Sequence, residues 1–296
     1  MTRLRGSWTV AVAVTLFLLT ACARPGDVPG GPGETGPSGP DSSIPADADA
    51  LVLRVEHIGG FVAPDQMLGR LPVVSVYADG RVITQGPQIA IYPAPALPNL
   101  LVQQLDPATA QGLVDKAVAA GVRSGADLGQ PGVADAPTTR ITVAAPGGTR
   151  TLDAVALTEA QADDPQLTVA QRAARAKLAA FVQELSDLSA AKGTPEAQPY
   201  QPEAVAALAT PYRKPADGLP KQPDPVAWPG PALPGEALSG PTGCVTASGA
   251  GTAAVLAAAK AANAITPWTS GGKQWSIVFR PLLPDETGCA DLKAAR

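Results

Sequence analysis

The chain predicts an α+β fold: antiparallel, hairpin-rich sheet packed by about three helices, set behind a disordered N-terminal tether. Two hairpin signals carry this expectation, at Pro72–Thr84 and Thr139–Leu157, together with capped helical patterns after Asp106 and after Thr168. Strands and helices arrive in mixed order, which favours α+β over a doubly wound parallel sheet.

Leu51-Val52-Leu53-Arg54-Val55-Glu56 alternates with period two, the pattern of a half-buried strand, and Gly59-Gly60 ends it. In the first hairpin Asp79-Gly80 reads as a two-residue turn. Counting outward pairs Tyr77 with Val82 and Val76 with Ile83, placing Val74, Val76 and Ile83 on one face. Asp106 caps the next helix, Pro107 suits its first turn, and Leu105 can staple onto Ala110. Its apolar stripe is Ala110, Leu113, Val114, Ala117 and Val118, with Gly121 placed to stop it. The second hairpin turns at Pro146-Gly147-Gly148. Thr168 with Gln171 resembles a capping box for a helix running to about Leu188, with Ala174, Leu178, Phe181, Val182, Leu185 and Leu188 inward and Arg172, Arg175 and Lys177 outward.

Between Pro195 and Pro241 lie 12 prolines. Val205, Leu208, Trp228 and Leu233 are poor linker residues, so an ordered, extended crossing is expected, with one edge strand near Ala204–Leu208. The end reads as strand (Cys244–Ala247), helix (Thr252–Asn263) and strand (Gln274–Arg280). The expected organisation is therefore 1–21 signal, 22–50 lipidated cysteine and tether, 51–191 α+β domain, 192–241 crossing, and 242–296 a disulfide-closed segment of the same globular unit.

The N-terminal boundaries rest on a short motif. Leu19-Thr20-Ala21-Cys22 follows Trp8–Thr20, an apolar run of 13 residues preceded by Arg3 and Arg5. That length suits a signal-peptide core better than a membrane span, with an ordinary cleaved signal and an uncleaved anchor as the alternatives to a lipoprotein signal. The motif resembles the lipobox of bacterial lipoproteins, and the Ala-, Pro- and Gly-heavy composition hints at a high-GC genome, so the resemblance points to an actinobacterial lipoprotein. The resemblance covers only the first 22 residues. It implies acylation of Cys22, with palmitate-type chains, and attachment to the outer face of a cell membrane; it implies nothing about activity. Separated arginines speak for Sec rather than twin-arginine export. From Ala23 to Ala50 the chain has six prolines, six glycines and almost no large apolar side chain, a composition that cannot offset its ordering entropy.

With Cys22 assigned to lipid, Cys244 and Cys289 remain as an even pair in an oxidising compartment, and a disulfide is the expected reading. Two free thiols or half a metal site are the alternatives; a single histidine and the lack of Cys-x-x-Cys oppose the metal. No metal or other cofactor is expected. The formal charge is −4, and without Arg3 and Arg5 it becomes −6, so nucleic-acid binding is set aside. Aromatics are only 4%, which argues against sugar platforms.

His57, the one histidine, continues the apolar side of its strand and reads as structural rather than as a triad member. No Gly-x-Ser-x-Gly elbow exists. Two Ser-x-x-Lys matches, Ser189–Lys192 and Ser270–Lys273, lie in poor contexts. Gly249-Ala-Gly251 opens a helix after a strand, as dinucleotide folds do, but too little chain follows it. The glycines read instead as a turn that lets an alanine-rich helix pack closely. Trp268 and Trp275 flank Gly271-Gly272 and read as packing, with a small pocket as the alternative. Arg280-Pro-Leu-Leu-Pro-Asp285-Glu286 reads as a stiff structural elbow; the functional alternatives are a partner-binding edge through Arg280, Asp285 and Glu286, and an acid–base pair. The expectation is a membrane-anchored, non-enzymatic binding or envelope-support module, its partner an envelope protein or small ligand. The alternatives are a wall-directed hydrolase using carboxylates and a small-ligand carrier.

Overall fold

The computed structural model describes residues 47–294 except 146, 217 and 220. The lipobox, the signal segment and residues 22–46 of the tether lie outside the described residues.

Two sheets carry the fold. The first has β1 (Leu51–Ile58), β2 (Val74–Tyr77), β3 (Arg81–Gln85), β4 (Leu100–Gln104), β5 (Thr138–Ala145), β6 (Gly148–Val155) and β7 (Gln198–Pro199), in the order β6-β5-β1-β2-β3-β4-β7, every pairing antiparallel. The second has β8 (Ala204–Pro211), β9 (Val226–Ala227), β10 (Glu236–Ser239), β11 (Thr242–Ser248), β12 (Trp268–Ser270) and β13 (Lys273–Pro281), in the order β10-β11-β8-β13-β12-β9. Only β12 with β9 is parallel in this sheet. The helices are α1 (Pro64–Gly69), α2 (Pro107–Ala120), α3 (Val169–Ser186), α4 (Ala250–Lys260) and α5 (Asp291–Ala294), and only α2, α3 and α4 exceed two turns. All described residues fall in one compact unit.

Each sheet has a helix-covered outer face. Leu53, Val55, Val74, Val76 and Val82 of the first meet Leu113 and Val114 of α2 and Leu178, Phe181 and Leu185 of α3. Val205, Ala207, Val245 and Phe279 of the second meet Val255 and Ala259 of α4. Trp228, Trp268 and Phe279 form an aromatic knot in that core, with ring centroids 5.5–6.1 Å apart. The opposite faces are covered as well. Tyr77, Ile83 and Leu100 of the first pack with Leu71 and Leu283, while Ala206, Leu208 and Cys244 of the second pack with Leu68, Leu282 and Leu292.

The caps are as expected. Asp106 accepts from the Thr109 amide at 2.9 Å, Gly121 ends α2 in the left-handed region, and Thr168 with Gln171 closes a capping box on α3. Four expectations are corrected by tertiary context. The first hairpin pairs Val76 with Val82 and Ser75 with Ile83, one residue away from the expected register. Its connection contains three residues beyond Tyr77, and the Gly80 amide bonds to the Tyr77 carbonyl with Gly80 at φ +89°. Gly80 is obligatory there, since a Cβ would lie 2.2 Å from the Leu105 carbonyl oxygen. Ile83 therefore joins Tyr77 on the inner face, away from Val74 and Val76. Second, a bulge between Leu51 and Leu53 puts Leu51 on that inner face too.

Third, the strand expected at an edge is β8, in the middle of the second sheet between β11 and β13. Ala204–Thr210 holds no proline, so every amide is available to a ladder, and proline returns only at Pro211 where the strand ends. Fourth, Arg175 is buried instead of outward, and Val118 is exposed. The Arg175 guanidinium donates to the Val155 and Ala156 carbonyls at 2.7 and 2.6 Å, beside a left-handed turn at Ala156. Gly249 also differs in its reason. A Cβ there or at Gly251 would meet nothing, so close packing does not require either; Gly249 is needed for its φ of +55°.

Candidate functional site

The polar positions of β1 do not face solvent. Arg54 and Glu56 lie on the inner face of the first sheet with Ser75 and Tyr77, across from the tail that follows β13. Leu282 and Leu283 fasten that tail by entering different apolar clusters, one against each sheet. Pinned there, Asp285 accepts from Arg54 Nη2 and from the Tyr77 hydroxyl, each at 2.8 Å. Arg54 Nε donates to Ser75 Oγ at 3.0 Å. The next carboxylate turns to a different arginine: Glu286 accepts from Arg280 Nη2 at 2.7 Å and from the Leu283 amide at 2.8 Å.

Burial works against charge on Arg54, but Asp285 beside it holds the guanidinium above its ordinary value. Burial, reinforced by the carboxylates, likewise keeps the Tyr77 phenol protonated, so it serves as a hydrogen-bond donor. Asp285 and Glu286 are thus each neutralised on an arginine of their own. Carboxylate acid–base hydrolysis uses two carboxyl groups free to act on a bond between them, whereas here each is held in an ion pair.

The remaining sequence candidates fall as follows. Cys244 and Cys289 form a disulfide that ties β11 to the tail. The His57 ring lies 3.4 Å from Thr139 Oγ1 on the neighbouring strand, and burial lowers its pKa. Ser189 lies in the 3-10 turn Leu188–Ala190 beyond α3, and Ser270 and Lys273 are partners in the β12–β13 hairpin. Ser270 Oγ accepts from the Leu233 amide at 3.2 Å. Trp268 and Trp275 are paired across that hairpin and buried in the second sheet's core. Among the described residues no group of three His, Cys, Asp or Glu side chains could hold a metal. Cys22 lies outside the described residues.

Beside the charge cluster is a cavity of about 240 Å³ whose walls include Glu56, Ile58, Met67, Leu68, Arg70 and Arg280. Among the described residues neither Glu56 nor Arg70 forms an ion pair. Burial raises the pKa of Glu56 above its ordinary value, a tendency that Arg54 and Arg140 oppose. Arg140, paired opposite Glu56 in the ladder, instead makes two 2.8 Å bonds to Asp153. Arg70 donates to the His57 and Gly59 carbonyls at 3.0 Å, which holds α1 against the end of β1. Arg280 is 3% exposed, and its Nε has no hydrogen-bond partner.

A more open groove of about 410 Å³ lies elsewhere, walled by Leu97, Pro98, Pro199, Pro202, Leu256 and Lys260. Sequence patterning had singled out Arg280, Asp285 and Glu286 but not Arg54, Glu56, Arg70 or Tyr77. Alternating polar residues on β1 carry the same signal whether that face meets water or another layer; Tyr77 and Ser75 in a valine-rich strand were the one hint of a polar interior.

No known protein family, curated protein or solved structure matches the chain.

Proposed function

We propose that the chain is an exported lipoprotein, held through acylated Cys22 on the outer face of a bacterial cell membrane, and that its folded part is a non-enzymatic binding module. The observation that carries the address is Leu19-Thr20-Ala21-Cys22 directly behind a short apolar run with a basic start. Among the described residues no helix is long and apolar enough to cross a membrane, so a lipid on Cys22 would supply the attachment. Binding is favoured over hydrolysis because both carboxylates of the Asp285-Glu286 run are committed to arginines, while the adjoining cavity is lined by Glu56 and Arg70, neither in an ion pair among the described residues.

The test is the Cys22→Ala variant of the full chain expressed in a bacterium that processes lipoproteins. The native chain is expected in the membrane fraction, to incorporate labelled palmitate and to leave the membrane with detergent; the variant is expected to do none of these. Unchanged membrane partitioning of the variant would defeat the lipoprotein reading. Cross-linking from native membranes, with the variant as control, tests an envelope-protein partner in place of a small ligand.

A further inference from the structure

The walls of the 240 Å³ cavity carry opposite charges that are not used on each other. Glu56 and Arg70 both line it, yet no ion pair joins them, and neither pairs elsewhere among the described residues. The other two arginines in the wall, Arg54 and Arg280, are already neutralised by Asp285 and Glu286. A purely anionic ligand would find one free guanidinium and be repelled by Glu56. A purely cationic ligand would find Glu56 but be repelled by Arg70. Arg280 offers the cavity little, since its side chain is buried and its guanidinium is already bonded to the Pro281 carbonyl and to Glu286. Ile58, Met67, Leu68, Pro72 and Leu292 give the rest of the wall an aliphatic stretch, beside His57 and the Arg280-bound Glu286.

We propose that this cavity is a binding site for a small zwitterion, an aliphatic α-amino acid, with its ammonium on Glu56, its carboxylate on Arg70, and its side chain among Ile58, Met67, Leu68 and Leu292. The volume corresponds to about eight waters at roughly 30 Å³ each, enough for one amino acid. An ammonium at Glu56 supplies the counter-charge that a partly buried carboxylate lacks. A carboxylate at Arg70 can accept from guanidinium hydrogens not used on the His57 and Gly59 carbonyls. The assignment rests on the binding-module reading and names that module's ligand class.

The experiment is isothermal titration of the full-length chain in detergent with three probes of the same aliphatic shape. These are leucine (each enantiomer separately), 4-methylpentanoate, which lacks the ammonium, and isopentylamine, which lacks the carboxylate. Leucine is expected to bind, and each singly charged analogue to bind at least about tenfold more weakly, the loss of one charge-assisted contact. Glu56→Gln is expected to weaken leucine while leaving 4-methylpentanoate no weaker, and Arg70→Gln to weaken leucine but not isopentylamine, with circular dichroism and melting confirming that each variant is folded. The comparison of probes on the native chain needs no variant, so a misfolded variant does not remove the test. Equal binding of leucine and a singly charged analogue would overturn the zwitterion assignment while leaving a binding module standing. Uptake of none of the three would overturn the assignment outright. Neither result bears on Cys22-dependent partitioning, so this inference and the lipoprotein reading fail independently.

Discussion

Removal of the Cys244–Cys289 bridge should lower stability by an amount the chain length sets. The two cysteines are 45 residues apart, and the loop they close contains α4, β12 and β13. Cutting a loop of that length returns about 4 kcal/mol of conformational freedom to the unfolded chain at 25 °C on the chain-entropy account. For a fold of this size each kcal/mol moves the melting temperature by about 2–4 °C, which gives a fall of about 8–16 °C. The native-state consequence should be smaller, because the tail keeps its other anchors. Leu282, Leu283 and Leu292 remain buried, and Glu286 remains on Arg280. The assay is thermal and urea unfolding of the Cys244→Ala, Cys289→Ala double variant against the native chain. The loss should appear as a lower midpoint together with a steeper urea dependence, because the released unfolded state exposes more surface. A shift below about 2 °C, under 1 kcal/mol, would refute the entropic reasoning and mean that strain or residual structure offsets it.

Gly80→Ala should cost about 3 kcal/mol or more, because the new Cβ meets the Leu105 carbonyl oxygen at 2.2 Å in a backbone conformation that L-residues avoid; urea unfolding within 1 kcal/mol of the native chain would contradict the turn. Asp285→Asn keeps the shape of the tail but strips the counter-charge from Arg54; with both side chains partly reached by solvent the loss should be about 1–3 kcal/mol, and Tyr77→Phe made in the same background should cost less than it does in the native chain. Additive losses in that double-mutant cycle would mean the two contacts are independent. Glu56, whose folded pKa burial raises, binds its proton more tightly folded than unfolded, so its contribution to stability falls as pH rises through the window between the two values. Glu56→Gln should therefore stabilise the ligand-free protein at neutral pH, with the advantage shrinking as pH is lowered; an advantage that grows towards acid would reverse the assigned sign.

The locally coded parts of this protein were legible from the chain alone. Asp106-Pro107, Gly121 and Thr168 with Gln171 mark helix ends through short-range hydrogen bonds and backbone sterics, and the structure uses them as such. The paired cysteines followed from counting, and the buried Val205, Leu208, Trp228 and Leu233 followed from being too apolar for a linker. The corrections arose where long-range packing chose between locally equivalent options. A hairpin register one residue away flips Ile83 to the other face, and it goes with a three-residue connection whose Gly80 packs closely on Leu105. Arg175 on α3 reads as surface until the carbonyls at Val155 and Ala156 are brought to it.

The candidate site belongs wholly to this second kind. Arg54, Glu56 and Arg70 come from one end of the chain and Arg280, Asp285 and Glu286 from the other, with over 200 residues between Arg54 and Asp285. Composition and spacing determined the expected address, the secondary structure and the covalent bridge, because each depends on neighbours within a turn or on counting. Which charges pair, and which are left facing a cavity, was decided only when both sheets closed on the β13 tail. A polar side chain's partner is set by what folding brings within about 3 Å of it, and periodicity along a strand holds no record of that.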